Sequence, residues 1–388
     1  MGTTKFILLV LIFITENNLM LTTAGSCDGT CEQSKLSRGH HETGIRNRAL
    51  LGHSFINFTL PRIYDCHMKC FEEKCKCQAF QILGNRCELL DEDRFSAPDD
   101  FVNEAEYAYF DMSREYVHQD SACSGQSCSN QCCSQNPCLH GGTCTELCKH
   151  AKHKFNCSCA MGYFGKFCQK RQATSCKEHL EKYTRAESGV YSIFDPIKNF
   201  IYEAFCDFND KNGFVWTLFE SFSLANKNEF AVKPFYVDYP VNENAFDWNK
   251  FRLSFSRMKM ISSNSTHVRA TCNFNTAGLN YTDYLRAKIT DIDVIRLKID
   301  GCKKYEYINI RGYSCGQCTA HFAQIDIWHA HVDSYYGSQK GCQLTSPLTG
   351  AVRNPGGEDN FGFYQTVNPV HRCSSSLNST TQWWFGEN

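Results

Sequence analysis

Cys315 and Cys318 enclose Gly316 and Gln317, and His321, His329 and His331 follow them. Two thiols at this spacing with nearby imidazoles form the donor set of a tetrahedral zinc site, and a Cys-x-x-Cys pair is also a signature of thiol–disulfide exchange. If Phe322 to Val332 is one strand, His329 and His331 share a face of it. A third chemistry competes: Cys272, Cys302, Cys342 and Cys373 make an even set of six with this pair, which structural disulfides would consume. We favour structural bridging here and expect no metal and no cofactor. A second constellation is Lys149, Lys152 and Lys154 interleaved with His150 and His153. Such local positive charge can hold sulfated glycans or other polyanions, more tightly as the histidines protonate, whereas a solvated loop tip is the plainer reading. Trp383-Trp384-Phe385 is read as core, with an exposed platform for sugar stacking as the alternative. Asp91 to Asp93, Asp99-Asp100 and Glu358-Asp359 could touch calcium or a mineral surface, although short acidic patches are usually just solvated. The chain carries no Gly-x-Ser-x-Gly, His-Glu-x-x-His or phosphate-binding glycine loop, so the expected protein is not an enzyme.

The cysteines say what kind of scaffold positions these residues. Twenty-five in 388 residues are improbable as free thiols, so disulfides and secretion are the economical reading. The count is odd, which leaves one thiol for an intermolecular bridge, and hence a disulfide-linked oligomer, or for a free side chain. Forty basic residues against 41 acidic ones argue against a nucleic-acid binder. Residues 1–24 read as a secretory signal, with Lys5, an apolar run from Phe6 to Ile14 and a cut after Ala24. No segment has the roughly 20 apolar residues of a membrane span. Asn57, Asn264, Asn280 and Asn378 each open an Asn-x-Ser/Thr triplet and are expected to carry glycans; Asn156 does too, but Cys157 at its middle position argues against occupancy.

Taken in order, residues 25–48 are a polar lead-in with Cys27 and Cys31. From 49 to 112 an apolar, strand-like opening gives way to a helix starting near Pro61, on which Cys66 and Cys70, four apart, share one face. That spacing, followed by Cys77-Gln-Ala-Phe80 and Cys87-Glu-Leu89, resembles the PAN/apple module, a small α+β fold. The resemblance implies the pairs Cys66–Cys87 and Cys70–Cys77. Cys75 is extra, and Cys27 or Cys31 is its expected partner. Residues 113–132 form a connector whose Cys123, Cys128 and Cys132, with Cys148, are expected to make two further bridges.

Between 133 and 168 a segment too short to bury much apolar surface carries Cys133, Cys138, Cys144, Cys157, Cys159 and Cys168, with turn residues at Gly141-Gly142 and Gly162-Tyr163-Phe164-Gly165. It resembles an EGF-like module, built on β-hairpins. The resemblance implies Cys133–Cys144, Cys138–Cys157 and Cys159–Cys168. Its calcium-binding form needs acidic ligands ahead of the first cysteine; Ser129 to Cys132 supplies none, so no calcium site is expected here.

After a linker at 169–175, residues 176–388 open with short alternating runs at Val190–Ile193, Ile201–Phe205 and Phe214–Leu218. Cys176 and Cys206, Ser188-Gly189-Val190-Tyr191 and Trp216-Thr217 resemble the start of a fibrinogen C-terminal domain, which implies a Cys176–Cys206 bond and a larger mixed α+β fold. The resemblance does not extend beyond about residue 222. Further on, Ile295, Leu297 and Ile299 alternate with polar residues as a half-buried strand would. The order of modules is similar to that of secreted cnidarian proteins, among them skeletal organic matrix proteins of stony corals. The whole is expected to be a multidomain, disulfide-rich, secreted extracellular-matrix or adhesion protein that binds extracellular proteins and glycans. A soluble fibrinogen-like lectin of innate recognition is the alternative.

Overall fold

The computed structural model describes residues 44–59, 62–112, 130–147, 153–183, 186–296, 298–325, 328–345, 350, 359–364 and 366–388. The expected signal peptide, Cys27, Cys31, Cys123, Cys128, Cys148, Lys149, Lys152 and Glu358 lie outside them. The chain divides into a first unit, which runs to Cys159 and includes Gly165–Gln169, and a second, made of Ala160–Phe164 and Lys170–Asn388.

The first unit opens with β1 (Ile45–Leu50), β2 (Ser54–Thr59), α1 (Ile63–Glu72), β3 (Ala79–Leu83), β4 (Arg86–Leu90) and β5 (Phe101–Asp111). The strands form one antiparallel sheet in the order β1-β5-β3-β4-β2. β3 and β4 are nearly all buried, as their apolar sequences require of inner strands. Asp65 in the first turn of α1 and Lys69 in the last complement its dipole. Cys66 and Cys70 lie buried on one side of the helix; Cys66 is bonded to Cys87 on β4 and Cys70 to Cys77 just before β3. The sheet's contribution to this core centres on Leu89 and on Phe80 stacked against Phe110 at 4.8 Å. A separate hairpin, β6 (Thr143–Glu146) with β7 (Phe155–Ser158), completes the unit.

In the second unit a two-stranded ribbon, β8 (Tyr163–Phe164) with β9 (Lys170–Arg171), precedes α2 (Cys176–Lys182), β10 (Gly189–Asp195), β11 (Phe200–Asp207) and β12 (Val215–Ser223). There follow α3 (Lys227–Phe230), β13 (Lys250–Arg252), α4 (Phe255–Asn264), β14 (His267–Cys272), α5 (Phe274–Ala277) and β15 (Tyr284–Lys288). Then come β16 (Ile299–Ile310), β17 (Tyr313–Ile325), β18 (Trp328–Asp333), α6 (Ser334–Gln339), β19 (Asp359–Asn360) and β20 (Thr380–Glu387). An 11-stranded sheet runs β10-β11-β12-β20-β14-β15-β16-β17-β18-β19, with β13 paired to β12. The last strand in sequence thus sits mid-sheet, between β12 and β14. Trp383, Trp384 and Phe385 on it are wholly buried, which rules out the exposed sugar platform. Gly386 is required there, because a Cβ would lie 2.7 Å from the Trp216 ring.

Two further expectations are corrected. The alternation at Ile295 to Ile299 does not mark a strand: Asp293 accepts a bond from the Ile295 amide at 3.0 Å and turns the chain, and β16 begins only at Ile299. Phe322 to Val332 is not one strand either. The chain reverses, so that Ile325 faces Trp328 and Ala323 faces His331 across the β17–β18 hairpin.

Among the described residues Arg252, Arg257 and Arg269 are buried in this unit, and Arg252 and Arg269 wholly so. The Arg269 guanidinium lies 4.4 Å from the Trp216 ring and 4.5 Å from the Trp384 ring, and its Nη2 donates to Asp207 at 2.7 Å. Arg252 donates to Glu220 and to the carbonyls of Lys233, Pro234 and Val237, while His329 pairs with the other Glu220 oxygen at 2.5 Å. Each charge removed from water is met by a hydrogen-bonded counter-charge, the condition for tolerating it.

Candidate functional site

The hairpin β6–β7 puts Cys144 opposite Cys157, and the sulfurs then bond outward: Cys133 to Cys144, Cys138 to Cys157, Cys159 to Cys168. Gly142 is packed so tightly that a Cβ would lie 2.8 Å from the Cys168 sulfur. The entry to this module is held by Glu146, whose carboxylate accepts from the amides of Asn130 at 2.7 Å and Cys133 at 3.2 Å. Asn130 in turn donates to the carbonyls of Leu147 and Lys154. Both side chains are spent on the fold.

Cys75 is bonded to Cys132, 57 residues away, rather than to Cys27 or Cys31. Cys132 is therefore not one of the surplus set expected to pair within the connector. The bond ties the turn after α1 to the residue that precedes Cys133, and other contacts follow the same line. Phe167 packs with Phe155 and Cys132, its ring centre lies 6.2 Å from that of Phe55 on β2, and the Lys76 amine sits 5.7 Å above it. Lys166 pairs with Glu92 at 3.1 Å and donates to the Asp91 carbonyl. The sequence signal for this joint was parity: Cys75 is surplus to one module and Cys132 to the other.

Beside this joint is a cleft of about 300 Å³ lined by Glu92, Leu147, His153, Phe155, Asn156 and Lys166. Of the three lysines proposed to bind polyanions, Lys154 is half-buried, and His153 next to it, which lines the cleft, is exposed. Cleft and basic loop are thus neighbours along the chain on the EGF-like side of the joint. The acidic groups differ in availability. Asp91 and Asp93 are buried, Asp93 capping a turn by accepting from the amides of Phe95 and Ser96, so these two are not free for a mineral surface; Asp99 and Asp100 are exposed. The four expected glycan acceptors, Asn57, Asn264, Asn280 and Asn378, are all exposed, as is Asn156.

The zinc and redox constellation is dispersed. Cys315 is bonded to Cys318, Cys272 to Cys373 and Cys302 to Cys342, and in the first pair a left-handed Gln317 (φ 50°) lets two positions that would face opposite sides of a strand meet. His321 pairs with Asp300 at 2.8 Å, His329 with Glu220, and His331 with the His329 carbonyl at 2.7 Å. Burial lowers the pKa of His321 and of His331. His371 lies among Cys272 and Cys373, but their sulfurs are consumed by their mutual bond, and one imidazole does not make a metal site. Cys176 is bonded to Cys206.

All 20 described cysteines pair with one another, so the unmatched one of 25 falls among Cys27, Cys31, Cys123, Cys128 and Cys148. Residues 133–167 match the family model of the EGF-like domain. Compared with curated proteins, the chain matches none. An EGF-like domain in a chain with ten disulfides among its described residues points to an extracellular protein.

Proposed function

We propose that this is a secreted, non-enzymatic extracellular-matrix or adhesion protein, and specifically a component of a skeletal organic matrix, acting through protein and glycan contacts. The observation that carries the reading is the joint at Cys75–Cys132, where an EGF-like module is bonded to the sheet before it rather than hung on a linker. A fixed pair of small domains presents its surfaces at constant spacing, which suits assembly into a network, since ordering a flexible hinge would oppose each binding event. The first sheet with its disulfide-clamped helix is an apple-like module in this account, and the second unit a divergent fibrinogen-like one. Acidic glycans are the favoured ligands of the basic loop that contains Lys149, Lys152 and Lys154, with the odd cysteine available to link copies.

Extraction from source tissue tests this. A matrix component resists buffer and salt and is released when the matrix is dissolved; a protein that washes out in buffer and elutes from a column with free sugar would replace this reading with the lectin.

A further inference from the structure

The five-stranded sheet of the first unit has two edges, and the chain guards them differently. β1 carries Arg46 and Arg48, and between them Asn47 takes a left-handed φ of 55° where the register with β5 shifts. Charge and a bulge are two of the devices that stop an edge strand from recruiting another chain. β2, at the other edge, reads Ser-Phe-Ile-Asn-Phe-Thr: six residues without a charge or a proline. Its register with β4 shifts only at its start, and from Ile56 to Thr59 the pairing runs on regularly. Among the described residues no strand covers its outer side. Such an apolar, strand-forming window left open on an edge is the usual template for pairing between copies. Its one polar exposed mid-strand side chain is Asn57, and Asn57-Phe58-Thr59 is a glycan-acceptor triplet.

We propose that Asn57 carries an N-linked oligosaccharide and that this glycan is the guard on β2, blocking its pairing with β2 of a second copy. The inference rests on the extracellular reading, because the transfer requires the secretory lumen. In that transfer the Asn57 amide nitrogen gives up a proton and bonds to the anomeric carbon of the sugar. The bond from that carbon to a lipid diphosphate breaks, and the diphosphate leaves with the electron pair. A branched, hydrated polymer rooted mid-strand then occupies the space an incoming strand would need, as a lysine would by charge.

The full chain secreted from glycosylating eukaryotic cells provides the test, with peptide N-glycanase in ¹⁸O-water marking occupied sites and sedimentation velocity reading association. Asn57 should be occupied. N57Q and T59A, which both destroy the triplet, should shift toward dimers and larger species as concentration rises, while N378Q sediments as wild type does. N57K, which trades the glycan for a charge, should stay as monodisperse as wild type. Trimming the glycans of the folded wild-type protein with an endoglycosidase, which leaves one sugar on an uncharged Asn57, should reproduce the association, which separates the effect from any failure of the variants to fold. An unmodified Asn57 beside occupied Asn264, Asn280 or Asn378 would overturn the inference alone; empty acceptors at all four would overturn the extracellular reading with it. So would N57Q and T59A remaining monodisperse, or N57K associating as N57Q does, count against the edge guard.

Discussion

At the scale of single residues, the second unit holds ionisable groups whose burial sets opposing pH responses. Burial holds His371 down to about 4, with its Nδ1 bonded to Ser374 at 3.0 Å. The unfolded chain then binds the extra proton between pH 4 and 6.5, so this group makes stability rise with pH across that window, by on the order of 3 kcal/mol. Burial pushes Glu387 up to about 7. Here the folded state keeps the proton, so stability falls between pH 4.5 and 7. The two nearly cancel in the native chain. Denaturant titrations at pH 5 and pH 7 should therefore show H371N losing relative stability as pH rises and E387Q gaining it; identical pH dependence in both variants and wild type would refute the assignment. Arg269 gives a larger effect. R269M keeps the bulk between the two indole rings but strands Asp207, and it should cost about 3–5 kcal/mol in unfolding free energy.

At the scale of elements, the Cys75–Cys132 bond closes a loop of 57 residues, which corresponds to about 4 kcal/mol of stabilisation in the chain-entropy picture. C75A/C132A should leave the three bonds of the EGF-like module intact yet speed amide exchange at Lys166 and Phe167, whose packing depends on the joint. Unchanged exchange would mean that the apolar contacts alone fix it. The basic loop is tested by K149A/K152A/K154A, which should elute from heparin at markedly lower salt than wild type; equal retention would remove polyanion binding from the account. Legibility varies at this scale for physical reasons. The short strands from Val190 to Leu218 announced themselves by alternation, and the turn residues around Cys133–Cys168 by type. Ile295 to Ile299 alternates just as well, but the Asp293 carboxylate competes for the backbone, and alternation does not register that. The β17–β18 reversal was equally hidden, because no Gly, Pro or Asn marks Asp326-Ile327.

At the scale of the whole molecule, what sequence could not reveal is mostly long-range. β20 lies at the end of the chain and in the middle of its sheet: Val215 faces Glu387, and Val268 faces Phe385. Local pattern carries no information about such pairings, and the loop entropy of closing them makes them slow to form. A chain ending at Ser379 lacks the strand that joins the two halves of the sheet and should be retained in the cell rather than secreted. Cysteine chemistry sits between these extremes. Counting and spacing suggest which thiols belong together inside a module, but only the folded chain brings Cys75 to Cys132. That bond is what fixes the joint, and non-reducing peptide mapping of protein isolated from its native site measures it. A Cys75–Cys132 cross-linked peptide is expected beside intact Cys133–Cys144, Cys138–Cys157 and Cys159–Cys168 bonds. Alkylatable thiols at these positions, or Cys75 joined to Cys27 or Cys31, would contradict it.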